Sequence, residues 1–406
     1  MSHALSSSSE FGSRSLLDPA THAGDPWPFY EWLRTEHPIY WDPQTEMWWV
    51  SDYDAIIDVA KSPEIFTSTL GNVPKLPPDP SFINSDGDVH LNRRALIGNF
   101  FTPAAVEKLR GHIADAVDGL IDTVIEQGHC DFVRDIARPL PLRIICEMTG
   151  IPEEMHADVC DLLDTFMTGG SGPEHVTEEV NEAFVAFGAI HMQLVDERRA
   201  EPKDDLLSIW VNANVNGGPM DDDQILFEHT MMLIGGSETA RNAISGGVEL
   251  MAREPLHRER LLADRKLLVS AMEESVRWVT PFLRMSRTLT QDTVFHGHSM
   301  KEGDEIAMFY PPANRDPIKF PNPYTFDVGR QFKHKSLAFG HGRHFCLGAF
   351  LARAEGEISY ERLLARIPDW RLDGEPVPVI SSFVRGIKSL PIAFTPHSRS
   401  HNRRTA

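Results

Sequence analysis

The sequence predicts a mainly α-helical fold with a minor β component, organised as one large domain. From His90 to about Arg366, most segments carry apolar residues at three- and four-residue steps, the spacing of one helix face. One segment inside this range, residues 285–310, instead alternates and contains turn signals, which predicts a small sheet. The composition is 41% hydrophobic and 24% charged, which is ordinary for a globular chain with a large core.

The elements follow in order along the chain. Residues 25–62 mix a short helix with strand-like pieces, and residues 69–88 are rich in Pro, Gly and Asp, which predicts a long loop of the kind that often forms a lid. Helical periodicity then predicts the following segments: 104–128, 176–200, 221–254, 265–279 and 350–367. The third is apolar around much of its surface, so we expect it to cross the core.

Charge and the chain ends limit the class of partner. The net charge of −20, from 39 basic and 59 acidic side chains, argues against nucleic acid or an anionic membrane as the main partner. No apolar run has the length of a signal peptide or membrane anchor, and we expect a cytoplasmic monomer. Residues 1–15 and 397–406 read as disordered tails around a domain of residues 16–396.

Four cysteines occur in the chain, and one of them lies in an unusual setting. Cys130, Cys146 and Cys160 match no zinc or disulfide framework and are expected to be buried, reduced thiols. Cys346 follows a glycine-rich loop, "FGHGRHFCLG", and precedes a helix. A zinc site would lack two further ligands at suitable spacing, and a nucleophile would lack a well-placed base.

The residues around Cys346 favour a soft metal held against a flat ring. Gly340 and Gly342 permit positive φ and close approach of the backbone. A thiolate at a helix N-terminus is stabilised by free N–H groups and the helix dipole. Gly348 removes bulk from the first helical turn, so a planar cofactor has room to lie there.

This loop resembles the haem-binding loop of the cytochromes P-450, from Phe339 through Arg353. The resemblance implies the cytochrome P-450 fold, haem b (iron protoporphyrin IX) as cofactor and Cys346 as the axial ligand of its iron. It also implies that O2 is a co-substrate and that NAD(P)H acts only through redox partners. In the same way, His344 is expected to bond a haem propionate.

A second segment supports the resemblance. Gly235 and Gly236 lie in mid-helix, where each glycine costs about 1 kcal/mol relative to alanine. Close helix packing would explain them, and so would a groove over a cofactor. Gly235–Thr239 resembles the oxygen-binding helix of the family, which implies catalytic roles for Thr239 with bound dioxygen and for Glu238 in proton relay. Ala240 departs from the second threonine of many members.

Two further sets of residues complete the expected cofactor site. Glu274 and Arg277 are spaced to pair on one helix face, and they resemble the E-x-x-R pair of the family, with Arg330 as the third member of a structural network. Alone, this spacing is also typical of surface ion pairs. The resemblance further implies that haem propionates are bound by the following residues: His90, Arg94, Arg287 and His344.

The function implied is monooxygenation of a lipophilic substrate, a steroid, terpenoid or similar compound. Electrons are expected from a ferredoxin and its reductase, docking near Lys333, His334, Lys335, Arg343 and His344. The expected pocket residues are mostly apolar: Phe82, Ile83, Ile234, Pro281, Phe282, Phe383 and Val384. The stretches 130–152 and 233–254 look similar to actinobacterial sterol side-chain hydroxylases. Alternatives are a tailoring oxidase of a polyketide or carrier-bound amino acid, a haem sensor, an isomerase and a peroxygenase.

Overall fold

The computed structural model describes residues 11–399, and helices dominate this part of the chain. The α-helices are α1 Trp27–Glu36, α2 Tyr53–Lys61, α3 Gly87–Ile97, α4 Pro103–Val124, α5 Pro139–Thr149, α6 His156–Thr168, α7 Glu178–Ala200, α8 Leu206–Val211, α9 Asp222–Arg253, α10 Leu256–Ala263, α11 Leu267–Val279, α12 Tyr310–Ala313 and α13 Ala349–Arg366.

Small sheets lie at the edges of the helical body. The strands are β1 Ile39–Asp42, β2 Met47–Val50, β3 Phe66–Thr67, β4 His129–Asp131, β5 Asn214–Val215, β6 Gly218–Pro219, β7 Arg284–Leu289, β8 Thr293–Phe295, β9 His298–Met300, β10 Glu305–Phe309, β11 Arg371–Leu372, β12 Val377–Pro378, β13 Ile387–Ser389 and β14 Pro391–Ala393. The largest sheet has the order β1-β2-β10-β7-β3, in which only the β2–β10 pair is parallel. The sheet β11-β14-β4 and the pairs β5–β6, β8–β9 and β12–β13 are antiparallel.

Helix α9 organises the main core. It begins with a capping box in which Asp221 accepts from the Gln224 amide and the Gln224 side chain accepts from the Asp221 amide. Its 32 residues pack against α5, α11 and α13, and buried apolar side chains from these helices and α4 form one contiguous cluster. The prediction that this segment crosses the core is therefore confirmed.

The predicted helices and the segment expected to form a small sheet are present, and the mainly α fold class is confirmed. Residues 284–309 supply β7 to β10, and residues 69–86 form a loop with a single 3-10 turn at Phe82–Asn84. The last two residues of the expected loop, Gly87 and Asp88, instead begin α3. Helices α5 and α6 are not among the segments that periodicity predicts individually. Helix α5 ends at Thr149, because the next residue, Gly150, has a φ of 88° in the left-handed region.

The expected tails fall largely outside the described residues, but their inner ends are packed. Phe11 is buried and its ring centroid lies 5.6 Å from that of Phe29 and 5.8 Å from that of Trp32. At the other end, the His397 amide donates to the Ile125 carbonyl at 3.1 Å. Packed structure therefore begins before residue 16 and continues past residue 396, because both ends contact the core.

Candidate functional site

The loop before α13 holds Cys346 in a narrowly defined position. Gly340 and Gly342 have φ values of 70° and 69°, in the region that favours glycine. A Cβ atom on Gly342 would stand 2.5 Å from the Ala60 carbonyl oxygen, so the loop packs directly on the backbone of α2. The Cys346 amide donates to the Phe339 carbonyl at 2.9 Å and closes the loop.

The Cys346 thiol lies beside the first turn of α13 and lines a large cavity. Burial raises the pKa of this thiol, while the Gly348 amide, which donates to the sulfur, and the nearby Arg94 and Arg353 act in the opposite direction. Cys130, Cys146 and Cys160 are buried as expected, and burial raises the pKa of Cys130 and Cys160 to about 12.

The cavity has a volume of about 680 Å³ and lies between the cysteine loop and α9. Most of the expected cofactor residues line its cysteine side: Arg94, Arg287, Phe339, Gly340, His344, Cys346 and Gly348. Ile234, Gly235 and Thr239 line it from α9. The structure therefore brings the loop and the helix motif, more than 100 residues apart in sequence, to one space.

The two mid-helix glycines of α9 have different roles. A Cβ atom on Gly236 would stand 2.7 Å from Cγ1 of Ile145, so this glycine permits close packing of α9 on α5. A Cβ atom on Gly235 would meet nothing within 4 Å, and this residue faces the cavity. Both explanations offered by the sequence thus apply: both glycines line the cavity, and Gly236 in addition permits the close packing on α5.

Thr239 and Glu238 face different surroundings. The Thr239 hydroxyl lines the cavity and donates to the Gly235 carbonyl at 2.8 Å, which leaves its oxygen available as an acceptor. Glu238 is buried, pairs with Arg241 and accepts from Asn242 Nδ2 at 2.9 Å. It is absent from the cavity lining, so the structure does not bring its carboxylate beside Thr239 in that space.

Cationic and imidazole groups cluster at the cavity wall next to Cys346. Arg94 Nη2 donates to the Phe345 carbonyl at 2.5 Å, and Arg287 Nη1 donates to the Ser286 carbonyl at 2.6 Å. Burial lowers the pKa of both guanidinium groups.

His344 Nε2 lies 3.4 Å from Asp86 Oδ1, and burial is the main cause that lowers the pKa of His344 to about 4. His344 Nδ1 is buried and has no partner among the described residues.

His90 lies behind His344 rather than in the cavity wall. Its ring centroid is 4.0 Å from that of His344. Its Nδ1 lies 3.0 Å from the Phe82 carbonyl and its Nε2 lies 3.2 Å from the Arg343 carbonyl. A neutral imidazole donates through only one nitrogen, so only one of these contacts is then a hydrogen bond. Direct contact of His90 with a cofactor stays a prediction.

The expected structural network is present and buried. Arg277 makes a two-point contact with Glu274, at 2.7 Å through Nε and 2.8 Å through Nη2, and both side chains have no exposed area. Arg330 Nε donates to the same carboxylate at 2.8 Å. Arg277 Nη1 also donates to the carbonyls of Asn314 and Pro323, which ties α11 to the segment before the cysteine loop.

The expected pocket residues line the cavity with one exception. Phe82, Ile83, Ile234, Pro281, Phe282 and Phe383 are in the lining, whereas Val384 is not and instead forms a β-bridge with Phe282. The lining also contains apolar residues that were not expected individually: Val73, Leu76, Phe166, Met167, Val176, Phe184, Phe227, Met231, Met232, Met285 and Met308. Of these, Val73, Leu76 and Met285 lie in segments that were expected to contribute to the pocket, residues 69–89 and 280–285. Phe184 packs between Phe166 and Phe227, with ring centroids 5.3 Å away on each side.

The comparisons with known proteins agree with this geometry. The sequence profile of the family described as Cytochrome P450 matches residues 135–368. The chain belongs to the cytochrome P450 family. It is 40% identical, over 371 residues, to the steroid C26-monooxygenase of Mycolicibacterium smegmatis, covering 90% of this chain and 92% of that protein.

Two further relatives span a similar share of the chain. A methyl-branched lipid omega-hydroxylase of Mycobacterium tuberculosis is 34% identical and covers 89% of this chain and 90% of its own. The Mycobacterium marinum cytochrome P450 CYP268A2, solved in complex with pseudoionone, has a TM-score of 0.87 at 30% identity, covering 94% of this chain and 98% of its own. The predicted cytochrome P-450 fold is therefore confirmed.

Family membership establishes the coarse activity. This cytochrome P450 is a monooxygenase for lipophilic substrates, which uses haem, O2 and electrons from redox partners. Within residues 11–399, no helix is long and apolar enough to cross a membrane. No group of three or more His, Cys, Asp or Glu side chains in the same range is arranged to hold a metal ion.

The residues of the cavity fit a haem group. A flat ring needs space beside the backbone at Gly348 and Gly235, and a Cβ atom at either position would meet nothing within 4 Å. Anionic propionates need donors, and Arg94, Arg287 and the unpartnered Nδ1 of His344 lie in one wall. The Cys346 sulfur, which lines the same cavity, is a soft donor of the type that could ligate the iron of this cofactor.

Proposed function

We propose that this cytochrome P450 hydroxylates a neutral lipid of steroid or terpenoid type, near the end of an alkyl chain, with electrons from a ferredoxin. One observation carries the proposal: Cys346 and Thr239 line the same cavity, whose remaining walls are largely apolar. The relatives act, by their names, on steroid C26 and on the omega position of methyl-branched lipids, which supports a terminal carbon as the site of reaction.

The cofactor in this proposal is haem b, held between α9 and the cysteine loop. Cys346 would be the axial ligand, while Arg94, Arg287 and His344 would bind the propionates. When bound, the haem would supply the activation of O2, and a thiolate ligand favours O–O cleavage. The Gly348 amide would stabilise the thiolate, because it donates to the sulfur.

The proposed role of Thr239 is to hold and orient a proton donor at the cavity side of α9. Its hydroxyl proton is already given to the Gly235 carbonyl, so its oxygen would accept a hydrogen bond from water. Glu238 would relay protons to this position only when its ion pair with Arg241 opens. The backbone cleft at Gly235 supplies room for the water.

The cavity lining supports an uncharged substrate. Its charged groups are Arg94 and Arg287 on the cysteine side and Asp79 in the loop at residues 69–86. The first two are assigned to propionates, so no free cation remains in the lining for a carboxylate on the substrate. Burial of apolar substrate surface against Phe, Met, Ile and Val side chains would be the main source of affinity.

The proposed ferredoxin surface lies outside the cysteine loop. Lys333, His334, Lys335 and Arg343 are exposed there, although the chain as a whole has a net charge of −20. His344 does not belong to this surface, because its ring lies inside, between His90 and Asp86. A local basic patch would steer an acidic redox partner to the side of the haem nearest Cys346.

The proposal also places the enzyme in the cytoplasm as a monomer. Three cysteines, Cys130, Cys146 and Cys160, are free and buried, which fits a reducing compartment.

The test is a spectral titration of the ferric holoenzyme, followed by turnover. We expect pseudoionone and cholesterol to shift the haem spectrum, and cholesterol to give a product oxidised in its side chain when ferredoxin, reductase and NAD(P)H are present. Long-chain fatty acids of similar length serve as charged comparison ligands. Tight binding of the acids with no response to either neutral lipid would contradict the proposal.

A further inference from the structure

Helix α9 carries a buried carboxylate, Glu228, that the proposed reaction does not use. Its side chain is 1% exposed, and neither carboxylate oxygen completes a hydrogen bond among the described residues. Burial is the main cause that raises its pKa to about 8. A buried polar group with so few partners is costly and calls for an explanation.

The surroundings of Glu228 come from helix α3 and from the loop at residues 69–86. Arg93 Nη1 lies 3.6 Å from Glu228 Oε1 and also donates to the Pro80 carbonyl. The Phe82 amide faces the carboxylate and lowers its pKa, as Arg93 does, whereas Asp79 raises it. Glu228 therefore faces the Phe82 end of a short loop segment, Pro80–Phe82, directly, and reaches the Pro80 end only through Arg93.

Phe82 is the residue through which this segment reaches the substrate. Its side chain lines the cavity. Its carbonyl accepts from Ser85 Oγ at 2.6 Å and lies 3.0 Å from His90 Nδ1. Its ring packs against that of His90, with centroids 5.7 Å apart. The backbone that carries this ring therefore contacts Ser85 and His90 on one side and the Arg93 and Glu228 pair on the other.

Glu228 lies on α9 between the contact with Pro80–Phe82 and the residues of the helix that line the cavity. Glu228 precedes Gly235 by seven residues, which is close to two helical turns and about 10 Å along the axis. Both residues therefore lie on nearly the same face of α9. The helix that presents Gly235 and Thr239 to the cavity also sets the distance to Phe82.

We propose that Glu228 and Arg93 form a clamp that fixes Pro80–Phe82 against α9 and thereby determines which carbon of the substrate approaches the haem. Both are positioning residues, because neither lines the cavity. The inference rests on the proposed function for its effect on products, but the clamp itself is a structural claim that is tested separately.

The first test measures amide hydrogen exchange in the holoenzyme. Glu228→Leu keeps most of the side-chain volume and removes both oxygens, so Arg93 and the Phe82 amide lose their shared partner. We expect exchange in the peptide that contains Phe82 to rise by about tenfold, as expected when a local contact is lost. Unchanged exchange in this peptide would overturn the clamp.

The matched control is Glu355→Leu. Glu355 on α13 is also 1% exposed, its Oε1 has no partner among the described residues, burial raises its pKa, and it does not line the cavity. We expect this variant to leave exchange around Phe82 unchanged. If both variants raise it equally, the effect is general loosening and the clamp is wrong.

Should Glu228→Leu fail to fold, Arg93→Met replaces it, because it removes the donor to the Pro80 carbonyl.

The second test measures binding and products with cholesterol as the probe. We expect Glu228→Leu to raise the dissociation constant by about fivefold to tenfold and to change the ratio of side-chain oxidation products, with the reduced, carbon monoxide-bound spectrum unchanged. A variant that binds cholesterol normally and keeps the product ratio would overturn the proposed effect on selectivity.

The two tests separate failure of the clamp from failure of the proposed function. If the wild-type enzyme neither binds nor oxidises cholesterol, the proposed function is wrong, and the exchange experiment still decides the clamp. If the wild-type enzyme is active but Glu228→Leu changes neither exchange nor products, only the clamp is wrong.

Discussion

The two sides of the cavity are built in different ways. On the cysteine side, a few residues with short, fixed spacings hold Cys346 through backbone geometry and a buried ion-pair network. On the substrate side, apolar residues from the loop at 69–86, α6, α7, α9 and the segment at 281–285 form the wall. On the cysteine side, few other residue types could replace those present, because each group has specific partners. On the substrate side, many combinations of apolar residues could form a similar wall.

The largest effect on the cysteine side is expected from Glu274→Gln. This change leaves Arg277 and Arg330 buried without a counter-charge, which costs about 3–5 kcal/mol when one partner of a buried pair is removed. We expect thermal unfolding at a much lower temperature and a large loss of bound haem.

The control for that prediction is the adjacent Glu273→Gln. Glu273 is 23% exposed and pairs with Arg353, so its loss should cost less, on the order of 1 kcal/mol or below. If the two variants unfold at the same temperature, the buried network of Glu274, Arg277 and Arg330 does not contribute the larger stability predicted for it.

The next effect separates the two glycines of α9. Gly236→Val would force side-chain atoms into Ile145, and overpacking typically costs about 1–3 kcal/mol. Gly235→Val has free space and should unfold near the wild-type temperature, but it should reduce haem or substrate binding. Differential scanning calorimetry and haem titration of both variants check this. Equal destabilisation of the two would contradict the assignment.

Thr239→Ala changes the α9 residue whose hydroxyl lines the cavity opposite the cysteine loop. It removes the hydroxyl from the cavity without disturbing the thiolate, so we expect product formation to fall by roughly tenfold or more and peroxide release to rise. Product and peroxide are measured together in the reconstituted system. Full product yield with no additional peroxide would remove Thr239 from the mechanism.

A smaller effect is expected at the substrate wall, from Phe383→Ala. Phe383 lines the cavity and its ring centroid is 4.9 Å from that of Phe282. Removing one aromatic wall should weaken steroid binding by about tenfold while the haem spectrum stays intact. Spectral titration gives the dissociation constant. A loss of haem instead would show that the two sides are not separable.

The sequence predicted the cysteine side well because its constraints are local. Positive φ at Gly340, the pairing of Glu274 with Arg277, and the spacing of Thr239 from Gly235 all follow from short-range backbone geometry. The sequence could not show that Gly236, unlike Gly235, also permits close helix packing, because that depends on Ile145 in another helix.

The substrate side was predicted only in part, for a physical reason. Phe166, Phe184 and Phe227 occupy amphipathic helices, and periodicity cannot distinguish an apolar face that lines a cavity from one that fills the core. Glu238 shows the same limit for polar residues. The resemblance of Gly235–Thr239 to the oxygen-binding helix of the family implies a proton relay at Glu238, yet Arg241 on the next turn pairs with its carboxylate in the structure.

The most direct test of the account is the spectrum of the reduced, carbon monoxide-bound enzyme before and after Cys346→His. We predict that the wild-type protein shows the red-shifted band characteristic of thiolate-ligated haem, and that the variant binds haem without this band. A thiolate-type band that persists in the variant would contradict Cys346 as the axial ligand and, with it, the assignment of the cavity as the haem site.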